Sequence, residues 1–210
     1  MSQVFSKSPK HCAERQSFTI SKKLLFVLSS VFTIVLVFIF LIRLTLHPSK
    51  PRFSLTQADI YQLNLTRPSL LNSSIQLTFL SNNPNKRVGV YYDNLQAHAS
   101  YEAQQITVDT PIPPFYQEHE ESNFLTAVLQ GNGFPVAPGF GYEVGRDRSA
   151  GRMVLSFKVI GKLRWKVGTW VSGRYRFNVN CVSVLAFGPS AAPSSPFIGS
   201  SRGTRCSTDV

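Results

Sequence analysis

The stretch MVLSFKVIGKLRWKV, residues 153–167, alternates with a period of two. Leu155, Phe157, Val159, Leu163, Trp165 and Val167 share one parity, while Ser156, Lys158, Lys162, Arg164 and Lys166 take the other. Successive side chains of a strand point to opposite faces, so this stretch predicts a half-buried strand with its cations outward. Gly161 in its middle predicts a kink or bulge. GTWVSG then makes a turn, and a second strand follows in which Tyr175, Phe177, Val179 and Cys181 oppose Arg174, Arg176, Asn178 and Asn180.

The same pattern recurs upstream. Ile75, Leu77 and Phe79 alternate with Gln76, Thr78 and Leu80 until Asn82-Asn83-Pro84-Asn85 breaks the run as a turn. Val88 to Tyr92, Leu95 to Tyr101, Ile106 to Thr110 and Phe124 to Leu129 predict further short strands. Some seven or eight strands at this spacing over residues 53–187 predict a mostly-β, antiparallel sandwich. Beyond it, residues 188–210 open with the Ser- and Pro-rich run GPSAAPSSPFIGSSRG and close on a segment, Thr204 to Val210, that can rejoin the sheet.

Ahead of the sandwich, Leu24 to Ile42 is nineteen residues without charge, Gly or Pro. At 1.5 Å per residue it spans roughly 29 Å, the thickness of a bilayer's hydrocarbon core. It is apolar on every face, unlike an amphipathic globular helix, and longer than the apolar core of a cleaved signal peptide. The expected organisation is a basic tail (1–23), a transmembrane helix (24–46), a spacer HPSKPR (47–52) and the folded domain. Lys7, Lys10, Arg15, Lys22 and Lys23 precede the helix and Arg43, Lys50 and Arg52 follow it. That bias keeps the tail cytosolic and exports the domain. Ser29 and Thr33, spaced i, i+4, offer a stripe on which a second helix can pack, so a homo-oligomer is one expectation.

Two features agree with export. Asn64-Leu65-Thr66 and Asn72-Ser73-Ser74 are N-glycosylation sequons, usable only on the exported side. Cys181 and Cys206 are the two cysteines of the exported half, where oxidation is permitted, and Cys12 lies in the tail. A Cys181–Cys206 disulfide is expected, against two free thiols or an intermolecular bridge.

The chain carries 22 Lys and Arg against 11 acids, a net charge of +11. Nine of those cations and one acid, Asp147, lie between Arg146 and Arg176. Lys162, Arg164 and Lys166 share one strand face and Arg174 and Arg176 the next, so pairing would set like charges side by side. Acids from another strand or an anionic partner would relieve this. Export excludes nucleic acid and leaves an acidic wall polysaccharide or anionic lipid headgroups.

The run NPNKRVGVYYD, the PPFYQ of residues 113–117 and GKLRWKVGTWVSGRYRFNVNC at 161–181 together resemble the plant NDR/HIN-like family, whose members carry a group-two late embryogenesis abundant domain behind a membrane anchor. The resemblance covers nearly the whole chain. It implies an immunoglobulin- or fibronectin-like sandwich, residence in the plasma membrane, with plasmodesmata for some relatives, and roles in defence or stress responses. It transfers no catalytic residue and no cofactor, and the protein partners are unknown.

The residues themselves agree. No HExxH helix, Gly-rich phosphate loop or Asp-x-Asp motif occurs. His98 falls on the outward parity of its strand. Glu118-His119-Glu120-Glu121 holds ligand-type side chains but reads as a polar loop. Pro113-Pro114-Phe115-Tyr116 matches a WW-domain ligand, yet that requires the cytosol, so a rigid connection is expected. A Golgi-type membrane-anchored enzyme and a desiccation-protective module are the competing functions.

Overall fold

The structure is a computed structural model that describes residues 22–45, 48–67, 69–187, 198–199 and 203–210. Most of the basic tail and of the Ser/Pro-rich run lie outside the described residues. The chain divides into two units, Met1–His47 and Pro48–Val210.

In the first unit, α1 (Lys22–Thr45) is a single helix. Lys22–Leu41 is long and apolar enough to cross a membrane, and none of it is buried within the protein. The hydroxyl of Thr33 donates to the Ser29 carbonyl one turn back, so it is satisfied inside its own helix.

The second unit is antiparallel β-structure in two facing layers. One layer is built on β1 (Arg52–Arg67), β2 (Leu70–Asn82) and β7 (Ser122–Pro135). The other is built on β3 (Gly89–Tyr101), β8 (Arg152–Val167) and β10 (Tyr175–Phe187). β4 (Gln104–Gln105), β5 (Thr110–Ile112) and β6 (Phe115–Gln117) all pair with β3, and β9 (Trp170–Val171) pairs with β8. Three short C-terminal strands join the layers. β11 (Ile198–Gly199) pairs with both β1 and β10, β12 (Thr204–Arg205) with β1, and β13 (Ser207–Asp209) with β10.

The core gathers the inward parities, except that Tyr175, expected inward, is 48% exposed at the start of β10. Leu155, Phe157, Val159 and Leu163 of β8 are fully buried with Phe177, Val179 and Cys181 of β10, as the alternation predicts. Across the layers, Phe53 of β1 packs its ring 6.1 Å from Tyr92 of β3 and 5.3 Å from Phe177 of β10. The predicted strands at Val88 to Tyr92 and Leu95 to Tyr101 are one strand, β3, with a register shift between Asp93 and Gln96. Of the strand expected at Ile106 to Thr110, only Thr110 is in a ladder, although Ile106 is buried.

One helix interrupts the β-region. α2 (Phe140–Ser149) buries Phe140 edge-on against Tyr101, whose hydroxyl donates to Asp147 at 2.9 Å. The segment is rich in Gly and weak in helix propensity, so these tertiary contacts hold it.

The bulge foreseen at Gly161 lies in the neighbouring strand. β8 runs in unbroken register with β10 through Gly161, opposite Phe177. The extra residues belong to β3, where Asn94 has φ 51°. A Cβ on Gly161 would meet Leu95 Cδ2 at 2.7 Å and the Asn94 carbonyl at 3.0 Å. Gly161 is therefore the room into which the β3 bulge presses. Gly161→Ala should destabilise the domain by about 1–3 kcal/mol, as overpacking against backbone does. Denaturant unfolding of the variant checks this, and a midpoint equal to the wild type would refute it.

A buried polar network closes the end at which the domain begins. Asn83, fully buried, donates through Nδ2 to the carbonyls of Val88 and Glu118, both at 2.8 Å. Its Oδ1 accepts from the backbone N–H and the Nδ2 of Asn85. Asn85 in turn grips Ser49, accepting its N–H at 2.7 Å and donating to its carbonyl at 2.8 Å. Residues expected to form a spacer are thus held by the domain. Beside them Gln117 accepts from Ser81 Oγ and Tyr92 Oη, both at 3.1 Å. Burial, the larger effect, pushes the Tyr92 hydroxyl well above its ordinary value.

Candidate functional site

The outer face of the β3–β8–β10 layer gathers the five cations singled out in the sequence. β8 is central, flanked by β3 and β10, so its outward side chains have neighbours on both sides. Arg176 lies directly opposite Lys162, the like-charge pairing expected from the pattern.

One acid partly relieves it. Asp93 of β3 accepts from Arg164 Nε at 2.7 Å and Nη2 at 3.0 Å, a two-pronged guanidinium–carboxylate fork. This hydrogen bond holds the Arg164 guanidinium above its usual range. Arg174 Nε also approaches Asp93, at 3.8 Å. Lys166 lies over aromatic rings, with Nζ 4.7 Å from the Tyr116 centroid and 5.8 Å from that of Tyr91. The two rings are themselves 4.4 Å apart, and Arg164 sits 5.1 Å from Tyr91. Lys162 and Arg176 remain. Both are exposed, and neither forms an ion pair among the described residues.

Between these two cations the surface dips into a depression of about 380 Å³ over the backbone of Gly161. Lys162, Arg176, Asn178, Asn94, Gln96 and Ile160 rim it. The β3 bulge leaves Asn94 and Gln96 exposed on this side.

The other sequence candidates fall elsewhere. Asn64 and Asn72 are register partners on β1 and β2, in the opposite layer. Asn72 Oδ1 accepts the N–H of Gly133 at 2.7 Å. Cys181 and Cys206 are joined as a disulfide with Cα atoms 4.3 Å apart. His98 lies on the outward face, but Asp109 covers it, with Nδ1 3.0 Å from Oδ1. The Glu118–Glu121 loop is a turn whose own carboxylate caps it, Glu121 Oε2 accepting from Glu118 N at 2.6 Å. That bond, with a second from Asn123, holds the Glu121 carboxyl below its usual range. Among the described residues no three His, Cys, Asp or Glu are placed to hold a metal ion. In the PPFY run, Phe115 stacks on Tyr92 with centroids 4.5 Å apart, so its pattern serves packing.

Asp93 and the Tyr91–Tyr116 platform were not identifiable from spacing. Asp93 stands 71 residues from Arg164 in sequence. The local signal for all three was confined to the VYYD and PPFYQ motifs, which read simply as strand and connection.

The family described as late embryogenesis abundant protein matches over residues 78–182. NDR1/HIN1-like protein 26 of Arabidopsis thaliana is 55% identical over 100% of both chains. NDR1/HIN1-like protein 12 of the same plant is 43% identical over 76% of each, and NDR1/HIN1-like protein 1 is 40% identical over 78% of this chain and 80% of that one. A solution structure of AT1g01470 from Arabidopsis thaliana covers 69% of this chain and 86% of its own, at 14% identity and a TM-score of 0.36.

Proposed function

The chain belongs to the NDR1/HIN1-like proteins and carries their late embryogenesis abundant domain, and from that premise we propose that it is a non-enzymatic, single-pass plasma-membrane protein that presents its β-sandwich outside the cell. There the domain acts as an interaction module in plant defence or stress responses, at the contact of membrane and wall, plasmodesmata included. The observation that carries this reading is α1, apolar all round and unburied, ahead of a domain stapled by a disulfide. A disulfide-bonded domain belongs in an oxidising compartment. The sequon asparagines lie in the layer opposite the basic face, so glycans on Asn64 and Asn72 would leave that face open.

Protease treatment of sealed microsomes should remove an N-terminal tag and spare a C-terminal one. An endoglycosidase should increase gel mobility, and the Asn64→Gln/Asn72→Gln variant should abolish that shift. Loss of the C-terminal tag with protection of the N-terminal one would overturn the reading.

A further inference from the structure

We propose that the depression over Gly161 is a subsite for the carboxylate of an acidic sugar within a linear polyuronide. The identity of the polymer rests on the exported location argued above; the anion site rests on local geometry.

Charge comes first. Four cations, Lys162, Arg164, Arg174 and Arg176, surround one carboxylate, and Asp93 spends it on the two arginines Arg164 and Arg174. Asp93 stands opposite Lys162 in the β3–β8 register, yet its oxygens turn to Arg164. Lys162 and Arg176 are left as direct cross-strand neighbours, an arrangement that costs stability until an anion sits between them.

The rim then selects the kind of anion. Asn94, Gln96 and Asn178 bring amide groups, each with both donor and acceptor atoms. Sugar hydroxyls can pair with both the donor and the acceptor atoms of such amides; a bare phosphate can accept from their N–H groups but leaves their carbonyl oxygens unpaired. Ile160, 37% exposed, supplies an apolar edge for the C–H surface of a pyranose ring.

The outline of the charge favours a chain over a membrane plane. Lys158, Lys162, Arg164 and Lys166 follow one another along the outer face of a single strand. At about 3.4 Å per residue they form a stripe on the order of 27 Å long. A linear polyanion can follow that stripe, with one carboxylate in the depression and others, several sugar units away in each direction, beside Lys166 and Lys158.

The test uses the full chain in detergent micelles and an oligogalacturonate of defined length as probe, with its methyl ester, heparin and phosphatidylserine-containing vesicles as comparators. Lys162→Gln/Arg176→Gln should weaken oligogalacturonate binding roughly tenfold. Lys86→Gln/Arg87→Gln, which removes two exposed cations outside the depression, should leave it unchanged. The methyl ester should not bind, and added salt should weaken binding by the wild type. The double variant should melt no lower than the wild type, because it relieves a like-charge contact. Equal loss in both double variants would reduce the face to diffuse attraction and overturn the proposal. So would equal binding of the methyl ester, or binding to heparin or vesicles alone. Binding by purified protein does not depend on topology, so failure here and failure of the microsome experiment are separate results.

Discussion

Loss of the Cys181–Cys206 bridge is expected to cost the domain roughly 3 to 4 kcal/mol, the chain-entropy value for a loop of about 25 residues. The position of the bridge supports the full effect. Cys181 is fully buried in β10, and Cys206 lies between β12 and β13, with its N–H donating to the Phe53 carbonyl of β1 at 3.0 Å. The bridge therefore fixes the C-terminal strands against both layers. In denaturant, Cys206→Ser and the reduced wild type should unfold at the same lowered midpoint. Thiol labelling of denatured, unreduced protein should find one free thiol, Cys12. Three labelled thiols per chain, or a midpoint indifferent to reductant, would refute the expectation.

Asn83→Asp should cost about 3 kcal/mol or more, although it exchanges a single NH2 for an oxygen. The Nδ2 group of Asn83 meets two carbonyls, and an aspartate there would aim a lone pair or a buried charge at both. The deficit relative to wild type should widen as pH rises above about 4. Burial raises a carboxyl's folded-state value above its unfolded one, so the folded variant holds its proton longer and loses stability as pH climbs between the two. Denaturant curves at acid and neutral pH test this. Equal stability of variant and wild type at neutral pH would show that the network bears little of the fold.

The sequence made some strands plain and hid others for a definite reason. β8 and β10 pair without a bulge, so their period of two runs unbroken from end to end. β1 slips register between Leu55 and Gln57, between Ile60 and Gln62, and between Leu65 and Arg67. Its buried residues therefore change parity, from Phe53 and Leu55 to Ala58 and Ile60, then to Leu63. A sixteen-residue strand looks aperiodic when its phase resets so often. The bulge of β3 split one strand into two in the same way. α2 was invisible because its stability comes from Phe140 and Asp147 meeting Tyr101, a contact made only after folding. In the candidate site, parity identified the cations and their outward direction. Which of them are neutralised depended on Asp93, and no local pattern links it to Arg164.

The grip of Asn85 on Ser49 also decides how the domain responds to tension. A pull on Pro48 meets first the two hydrogen bonds at Ser49 and then the start of β1. β1 is paired with β2 along its length, from Arg52 opposite Asn82 to Arg67 opposite Leu70, and β12 grips it again at Ser54 and Leu55. Ladder bonds lie across the strand direction, so a load along β1 held at the far end of that strand strains many of them together in shear, whereas a load held at the C-terminal strands, which lie beside the start of β1, peels them one by one. Forced unfolding is governed by the rate of barrier crossing, and a shear-loaded first strand keeps that rate low. Under such a load Asn85, braced by Asn83, places two hydrogen bonds to Ser49 ahead of the ladder.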